Sequence, residues 1–536
     1  MAEAQAAFDY VIVGAGSAGC VLAERLSADP ANRVLLLEEG GDHSDMLVTM
    51  PKGFGKLLTM PDRAHYYATT NQREGGGGPE IWVRGKMLGG SSAVNGMVWN
   101  RGQQEDYDRL AELAGPQWSW DAMLPHLRGL EDHAMGASAT RGTGGPVAVK
   151  THPAPTPLAK AWISAGTELG LPAKEDHSGL AQEGIGPLQW NIDARGRRVS
   201  SARAFLDRAR RRPNLHVATG VRVDRVTLDS GRATGVEGRR GGEAVRFVTR
   251  GEVILAAGAL MSPRILQLSG IGPAEALRAA GIPVILDSPS VGRHMREHIL
   301  LSLNFRLRHW RDSSNREFSG ARLLGNVARH VLLGSGTLSY GSSEAAAFAR
   351  VLPESTRPDT QIMFQPYSTE RSTGGFKFED APGMSLYSFR LRPESEGSIT
   401  VTSPDPDGPA TIDPNYLSAE SDRRAVIGAV RFLRKIIAQP ALEPFVVGET
   451  EATASMQSDD EILDAYRLWG ASGLHATATV RMGRDNSSPL DGELRLRGIE
   501  ALRVVDCSVF PEMIAGNTNA PTMALASRAA ELILAR

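Results

Sequence analysis

Short apolar runs and one longer amphipathic segment alternate over the first forty residues. In "FDYVIVGAGSAGCVLAERLSADPANRVLLLEEGG" the apolar run at residues 10–13 is typical of a short buried strand. Residues 18–26 have helical spacing, and "RVLLLEE" predicts a second strand that ends in Glu38. This part of the chain therefore predicts one strand–helix–strand unit of an α/β fold.

Two later stretches carry a related pattern. "GEVILAAGALMSPRILQLSGIGP" (251–273) predicts an apolar strand, a small-residue turn and a helix, with Ser262 directly before Pro263 as the expected N-cap and first helical residue. "LRVVDCSVFPEMIAGNTNAPTMALASRAAELIL" (502–534) predicts a strand that ends at Asp506, a polar loop and a closing helix.

Other periodicities occur between these stretches. "GSITVTS" (397–403) alternates with a period of two and favours an antiparallel strand, whereas "DRRAVIGAVRFLRKIIAQPAL" (422–442) has helical spacing and ends at a proline. The chain as a whole is therefore expected to be α/β, and α+β overall, with an antiparallel sheet flanked by helices in its second part.

The glycines of the first unit have the spacing of a dinucleotide turn. Gly14 allows a tight turn, Gly16 lets backbone approach a pyrophosphate, and Gly19 allows close packing of helix on strand. Glu38, at the end of the next strand, is placed to bond ribose hydroxyls. The pattern favours a dinucleotide site over a tight turn that binds nothing. An acid at this position favours FAD or NAD over NADP.

Composition narrows the class of protein. The 536 residues are too many for one ordinary core, and 41% hydrophobic with 22% charged residues is typical of a globular protein. A net charge of −2 gives no electrostatic reason to expect nucleic acid or an acidic membrane as a partner. Two cysteines cannot form a disulfide framework or a zinc site, so no metal is expected.

The same data give an expectation about location. The N-terminus has no basic region followed by a long apolar run, and no run of about 18 apolar residues exists to span a bilayer. We expect a cytoplasmic protein, with a peripheral association with the inner membrane left open, and either a monomer or a homodimer.

The 58 glycines occur in short clusters, and one cluster belongs to a polar turn at residues 84–108. In "RGKMLGGSSAVNGMVWNRGQQEDYD" two glycines are followed by Ser91, Ser92 and Asn95. Backbone and hydroxyl groups of this kind suit a phosphate or the edge of a flavin. Alone, the turn is also compatible with plain scaffold.

Taken together, these stretches resemble the glucose–methanol–choline (GMC) family of FAD oxidoreductases. "GKMLGGSSAVNGMVWNRG" is similar to the first family signature and "GALMSPRILQLSGIG" to the second. The resemblance also covers "VGRHMREH" (291–298), "GSITVTSPDPDGPATIDPNYL" (397–417) and the C-terminal stretch. The layout most resembles the branch of choline, alcohol and sorbose dehydrogenases.

The resemblance implies a set of FAD contacts. It would place them at Gly14, Gly16, Ser17, Ala18, Gly19, Glu38, Glu39, Gly90, Ser91, Asn95, Gly96, Met97, Val98, Val223, Ala257, Gly258, Asp506, Cys507, Asn517 and Thr518. Val223 would pair with adenine through its backbone, Asp506 would contact the ribityl–phosphate region, and Asn517 with Thr518 would close over the ring. Some members bind FAD covalently through a histidine; Val94 stands at that position, so we expect non-covalent FAD.

The resemblance also implies a catalytic pair, His475 and Asn517. An imidazole near neutral pKa can accept the hydroxyl proton while hydride leaves carbon for flavin N5, and an amide can orient the same oxygen. The alternative is a core histidine satisfied by backbone. The segment reads "HATATVRMG" where the family has "HPVGTCRMG", so Ala476, Ala478 and Val480 replace Pro, Gly and Cys.

Two further titratable residues are of interest. His298 is expected to order backbone near the junction of the domains. Glu344 is expected to be an exposed carboxylate, with the substrate cavity as the alternative.

Nucleotide motifs near the start, middle and end of the chain predict a discontinuous, Rossmann-like FAD-binding domain. We assign it residues 1–155, 216–298 and 470–536, and assign residues 156–215 and 299–469 to a substrate domain.

The substrate is less well defined. Val98, Trp99, Trp469 and Leu474 predict an apolar wall, which favours a medium-length or aromatic alcohol over a sugar. The glycine-rich segment 369–383 is a candidate mobile loop over the entrance.

The predicted function is FAD-dependent oxidation of an alcohol to an aldehyde or ketone, with electrons passed to a quinone, another acceptor or O2. A flavin lyase resembling the hydroxynitrile lyases, or a photodecarboxylase, remains the alternative on the same fold. An NAD dehydrogenase and a non-catalytic FAD-binding protein are further interpretations. The flavin-type stretches argue against the NAD dehydrogenase.

Overall fold

A mostly parallel sheet collects strands from distant parts of the chain. The computed structural model describes residues 7–72, 78–152, 155–370 and 377–535. In spatial order the sheet contains Val221–Asp229, Arg232–Arg240, Glu243–Leu255, Phe8–Val13, Val34–Leu37 and Leu215–Ala218, with Leu502–Val504 also paired to Glu243–Leu255. Phe8–Val13 is parallel to both of its neighbours, as expected for a buried central strand.

A second sheet is antiparallel throughout. Its order is Val446–Glu449, Ile299–Leu307, Gly383–Arg390, Thr360–Gln365, Ala345–Ala349 and Gly184–Pro187, and Ala471–Ser472 also pairs with Ile299–Leu307. The predicted fold class, a Rossmann-like unit combined with an antiparallel sheet and helices, is therefore confirmed.

Helices cover both sheets, and four small sheets complete the described structure. The α-helices are Ser17–Leu26, Met46–Thr49, Phe54–Leu57, Gln104–Ala114, Trp120–Leu130, Pro157–Glu168, Asp207–Ala209, Gly258–Leu268, Ala274–Ala279, Gly320–Leu333, Glu420–Ile437, Glu451–Ala454, Asp459–Trp469 and Asn519–Leu534. The small sheets are Ala64–Gln72 with Pro79–Gly85; Glu131–His133, Val147–Thr151 and Gln189–Trp190; Ile271–Gly272 with Leu286–Asp287; and Ser398–Val401 with Ala410–Asp413. Within the described ranges, no helix is long and apolar enough to cross a membrane.

Each large sheet has its own hydrophobic core. The first core contains Val11, Ile12 and the C-terminal helix, whereas the second surrounds strand Ile299–Leu307. Phe205 and Leu206 pack into the first core, although we assigned residues 156–215 to the substrate domain. The chain therefore returns to the first core before residue 215. The five-part division into domains otherwise stays a prediction.

The prediction for Ser262 is wrong. The helix begins at Gly258, so Ser262 and Pro263 lie inside it and Ser262 is not the N-cap. Ser262 Oγ instead donates a hydrogen bond of 2.6 Å to Asp506 Oδ2. The small-residue turn before the helix is shorter than the sequence suggested, because the helix already begins at Gly258.

Pro263 leaves one carbonyl of its helix without the usual backbone donor, and another segment supplies that hydrogen bond. Pro263 has no N–H to donate to the carbonyl of Ala259, four residues earlier. Thr479 Oγ1 donates to that carbonyl at 2.8 Å, and Thr479 is fully buried. This bond ties the "HATATVRMG" segment to the helix that begins at Gly258.

We expect Thr479→Val to lower the free energy of unfolding by about 1–2 kcal/mol, because the shape is kept while a buried carbonyl loses its donor. The matched control is Thr453→Val. Thr453 is equally buried, and its hydroxyl has no hydrogen-bond partner among the described residues, so this change should be neutral or stabilising. Denaturant unfolding of the two variants measures the difference, and equal losses would contradict the role of the Thr479 bond.

Candidate active site

A cavity of about 580 Å³ lies where the two sheets meet, and it brings together residues from distant segments of the chain. Its lining includes Gly14, Gly16, Ser17, Ala18, Glu38, Glu39, Gly90, Ser91, Asn95, Gly96, Met97, Val98, Val223, Ala257, Gly258, His475, Asp506, Cys507, Asn517 and Thr518. Of the residues predicted to contact FAD or to act in catalysis, Gly19 alone does not line it. A wider groove of about 1200 Å³, along Asp9, Arg232 and Arg495, contains none of the predicted residues.

The glycine turn forms one end of the cavity. A Cβ on Gly14, whose φ is +99°, would lie 2.6 Å from the carbonyl oxygen of Ala256, and a Cβ on Gly19 would lie 1.8 Å from that of Gly14. Gly19 therefore allows the helix to pack on the turn from behind. A Cβ on Gly90 would lie 2.7 Å from Gly16 Cα, so the two glycine turns touch each other.

Two acids lie beside the turn. Glu38 accepts hydrogen bonds of 2.9 Å from the backbone N–H groups of Ala15 and Gly40. Burial raises the pKa of Glu38 to about 7, although both N–H donors act in the opposite direction. Glu39 is paired with Lys86 at 3.3 Å and with His65 at 3.5 Å.

Asp506 closes the middle of the cavity. One of its carboxylate oxygens accepts from Gly258 N–H at 2.8 Å and from the Ser262 hydroxyl, and the other accepts from Ser508 N–H at 2.8 Å. Burial raises its pKa despite these bonds. Burial likewise raises the pKa of the neighbouring Cys507 to about 12, so this thiol is neutral.

Strand pairing brings the predicted histidine against a second one. Ile299 lies opposite Ser472 in the antiparallel pair, and Gly473 N–H donates to the carbonyl of His298 at 2.7 Å. This register places His298 beside His475, with their Nδ1 atoms 2.9 Å apart. His298 was expected to order backbone only; its direct contact with His475 was not predicted.

The two imidazoles belong to a chain of hydrogen bonds. His298 Nε2 lies 3.0 Å from the carbonyl oxygen of Leu391, and His475 Nε2 lies 3.1 Å from Asn517 Nδ2. A carbonyl can only accept, so His298 carries its proton on Nε2 and its Nδ1 accepts. His475 must then donate from Nδ1, and its Nε2 is left as an acceptor that faces Asn517 and the cavity.

The surroundings keep both rings neutral. Burial lowers the pKa of His298 to about 4. Burial also lowers the pKa of His475 well below its ordinary value, and the charge of Arg84 adds to this effect.

Glu297 fixes the backbone beneath both rings and was missed at the sequence level. Its Oε1 accepts from the N–H groups of His298 and His475, each at 2.8 Å. Oε2 lies 3.8 Å from Arg84, and burial raises the pKa of Glu297 to about 7. The sequence does offer one signal for this role, since Glu297 directly precedes His298 in "MREH".

Asn517 is held by its own neighbours. Its Oδ1 accepts from Gln361 Nε2 at 3.5 Å, which leaves Nδ2 directed at His475. Gly516, with φ of +97°, precedes it, and a Cβ there would lie 1.8 Å from Asn100 Nδ2. The turn therefore requires glycine, and neither Gln361 nor Asn100 was predicted.

The three departures from the family pattern are packing residues. Ala476 is buried against a cluster that contains Trp82, and Val480 is fully buried in the first core. Ala478 is also fully buried and has φ of +66°, a conformation that favours glycine.

The end of the cavity away from the glycine turn is mainly apolar. Val98 and Leu474 line it as predicted, whereas Trp99 and Trp469 do not. Trp99 is buried behind the wall and donates to Glu131, and Trp469 is a partly exposed residue at a helix end. Other residues of this end are Phe54, Leu58, Leu300, Ser302, Ser342, Gln365, Tyr367, Thr369, Tyr387 and Phe389. Of the predicted entrance loop 369–383, residues 371–376 lie outside the described residues.

A buried pair of charges lies behind this wall. Lys52 Nζ donates to the carbonyl of Ser342 at 3.3 Å and lies 5.0 Å from the centroid of the Tyr367 ring. Glu344 is buried and does not line the cavity, so neither expectation for it was right. Burial raises the pKa of Glu344 to about 6 against the opposing charge of Lys52.

The residues present fit FAD. Gly14, Gly16 and Gly90 line the cavity, neither Gly14 nor Gly90 has room for a side chain, and Glu38 directly follows the adjacent strand. Asn519 lines the cavity with a buried Nδ2 that has no hydrogen-bond partner among the described residues. Val94, also on the lining, offers no nucleophilic atom.

Comparison with known proteins agrees with this geometry. The GMC oxidoreductase family models match residues 8–300 and 393–526. An alcohol dehydrogenase [acceptor] of Pseudomonas putida is 36% identical over 98% of this chain and 96% of its own length. An oxygen-dependent choline dehydrogenase of Photobacterium profundum is 37% identical over 98% of this chain and 93% of its own length.

Solved structures give the same answer. Pyridoxine 4-oxidase from Mesorbium loti superposes with a TM-score of 0.87 at 31% identity, covering 99% of each chain. Formate oxidase, at 24% identity and a TM-score of 0.89, shares the fold. This chain belongs to the GMC oxidoreductase family and is an FAD-dependent oxidoreductase of the class that oxidises alcohols.

Proposed function

We propose that this enzyme oxidises a neutral primary alcohol, with His475 as the base and Asn517 as the group that orients the alcohol oxygen. The observation that carries the proposal is the lone pair that the hydrogen-bond chain leaves on His475 Nε2, at the cavity and 3.1 Å from Asn517 Nδ2. FAD, when bound, supplies the acceptor for the hydride of the alcohol carbon.

The hydrogen-bond chain supports a base of fixed tautomer. His298 holds the Nδ1 proton of His475, so Nε2 carries no proton. It can take the hydroxyl proton of the substrate once that hydroxyl replaces the Asn517 amide as its hydrogen-bond partner. Because burial disfavours the charged ring, His475 is neutral at pH 7 and ready to accept a proton.

After proton transfer, the protonated ring of His475 needs a negative charge nearby to stabilise it. The carboxylate of Glu297 accepts a hydrogen bond of 2.8 Å from the backbone N–H of His475. Its negative charge, when present, favours a protonated imidazole and so stabilises the product of proton transfer.

The charge of the substrate follows from the lining of the cavity. The carboxylates on the described lining, Glu38, Glu39 and Asp506, lie with the glycine turn and are held by local partners. The substrate end has hydroxyl and amide groups but no described carboxylate. Lys52 already occupies a ring face of Tyr367, which a quaternary ammonium group would otherwise use.

The acceptor of the electrons is proposed to be a quinone or another small acceptor rather than O2. The similarity to an alcohol dehydrogenase [acceptor] over nearly the whole chain supports this choice. We further propose that FAD is held non-covalently, since Val94 cannot bond to it.

We expect His475→Gln to lower kcat/KM for a primary alcohol by about 10²–10⁴-fold, because the base is lost while the glycine turn is unchanged. The measurement is anaerobic bleaching of the flavin absorbance by the alcohol, with FAD content as the control. Wild-type protein that is never bleached by any alcohol would favour a lyase or photodecarboxylase. Rapid reoxidation in air with release of peroxide would replace the proposed acceptor by O2.

His298 is proposed as a positioning residue, and His298→Leu tests it. Without an acceptor for the Nδ1 proton, His475 can carry its proton on Nε2, so kcat/KM should fall at least about tenfold. His298→Asn keeps an acceptor oxygen near the position of Nδ1 and should recover most of the loss.

The pH profile separates this role from a structural one. In wild type, kcat/KM should be level at neutral pH and fall only below pH 6.5, because the protonated ring is inactive and its pKa is lowered. A lower plateau in His298→Leu with unchanged FAD content supports the proposal; equal plateaus in all three proteins would refute it.

Choline and 3,3-dimethyl-1-butanol have the same shape and differ in one charge, so they test the neutral-substrate proposal. We expect kcat/KM to be at least about tenfold higher for the neutral alcohol, since no described carboxylate at the substrate end compensates the ammonium. Equal or better turnover of choline would reject a neutral substrate and leave alcohol oxidation itself intact.

A further inference from the structure

The Gly320–Leu333 helix presents its apolar side chains to solvent. Leu324 is 73% exposed, Val331 58% and Leu332 79%. Together with Ala328, which is also exposed, these residues recur three and four positions apart and form one face of the helix. Isolated exposed apolar residues are ordinary, but a continuous face of them marks a site of interaction.

No other part of the described chain covers this face. None of the apolar side chains of the helix belongs to any hydrophobic cluster among the described residues. The helix packs instead on the short turns at Asn315–Phe318 and Thr337–Ser339, and its buried side chain is polar: His330 Nδ1 lies 2.8 Å from Ser339 Oγ. Leu323 and Val327 are half-buried on the side of His330, but the larger apolar stripe of this amphipathic helix points to solvent rather than to a core.

The surroundings of the exposed face are positively charged. Residues 308–335 contain five arginines and two acids, whereas the whole chain has a net charge of −2. Asp312 is largely buried, and Glu317 is paired with Arg322 at 3.4 Å. Arg322 and Arg329 follow the apolar stripe along one of its flanks, as their spacing in the helix requires.

The helix also lies next to the substrate end of the cavity. Phe318, in the turn before it, lies 5.8 Å from the ring of Tyr367, which lines the cavity. The turn after it, Thr337–Ser339, packs on Pro51–Gly53, the residues directly before the lining residue Phe54.

We propose that the Gly320–Leu333 helix docks this enzyme on an anionic lipid surface. Its 14 residues extend about 21 Å, too short to span a bilayer, so the helix would lie in the plane of the interface. Apolar side chains enter the headgroup region while the flanking arginines contact anionic lipids. The substrate end of the cavity then faces the membrane.

Flotation of the purified holoenzyme with vesicles tests this docking. We expect binding to phosphatidylcholine vesicles that contain phosphatidylglycerol, and little binding to pure phosphatidylcholine. The variant L324E/V331E/L332E should bind at least about tenfold more weakly, because apolar area no longer enters the lipid. The matched control is L180E/I285E/V447E, in which three similarly exposed apolar residues elsewhere are changed; it should bind like wild type.

The arginines have a separate test. Each one near an anionic surface strengthens binding about fivefold, so R322Q/R329Q should lose most of the preference for anionic vesicles. Turnover of a short soluble alcohol should stay at the wild-type value in every variant. Absence of vesicle binding by wild type would overturn the proposal. A dimer in light scattering that L324E/V331E/L332E dissociates, without vesicle binding, would assign the face to a second copy of the chain.

Discussion

The hydrogen bond between His298 and the carbonyl of Leu391 determines the protonation pattern of the site. Backbone carbonyls cannot reverse their role, whereas hydroxyl groups, waters and carboxylic acids can. Because the Leu391 carbonyl can only accept, it determines which atom donates and which accepts in the two following bonds, between His298 and His475 and between His475 and Asn517. The site thus obtains an oriented lone pair without any charged residue in contact with the reactive nitrogen.

This arrangement depends on the seam between the two sheets. Strand Ile299–Leu307 belongs to the antiparallel sheet, and His298 lies directly before it. His298 contacts the segment that contains His475 and Thr479, and Thr479 bonds a helix of the nucleotide-binding part. Glu297 accepts from the backbone on both sides of that seam. The relative position of the histidines is therefore a property of backbone pairing, which is more rigid than the side chains themselves.

The sequence predicted the features that are local and missed those that depend on register. The first glycine turn and Glu38 lie within thirty residues, so spacing alone placed them on one strand–helix–strand unit. His298 and His475 are 177 residues apart, and only the pairing of Ile299 with Ser472 brings them together.

Local patterns also misled in two places. Ser262 before Pro263 has the chemistry of a helix start, but the turn before it is already helical and the serine is used by Asp506. Trp99 and Trp469 were predicted to form an apolar wall with Val98 and Leu474, but they do not line the cavity. Side chains of adjacent residues in extended backbone point to opposite sides, which takes Trp99 behind the wall.

The contact between the first and last helices has a consequence for how the protein matures. Ser17 Oγ donates to Asn519 Oδ1 at 2.7 Å across 502 residues of chain, and the two helices pack against each other. The glycine turn therefore has its complete wall only after a segment 502 residues further along the chain has been synthesised. Until that segment is made, a nascent chain lacks a complete flavin cavity and so lacks the stabilisation that a bound cofactor gives.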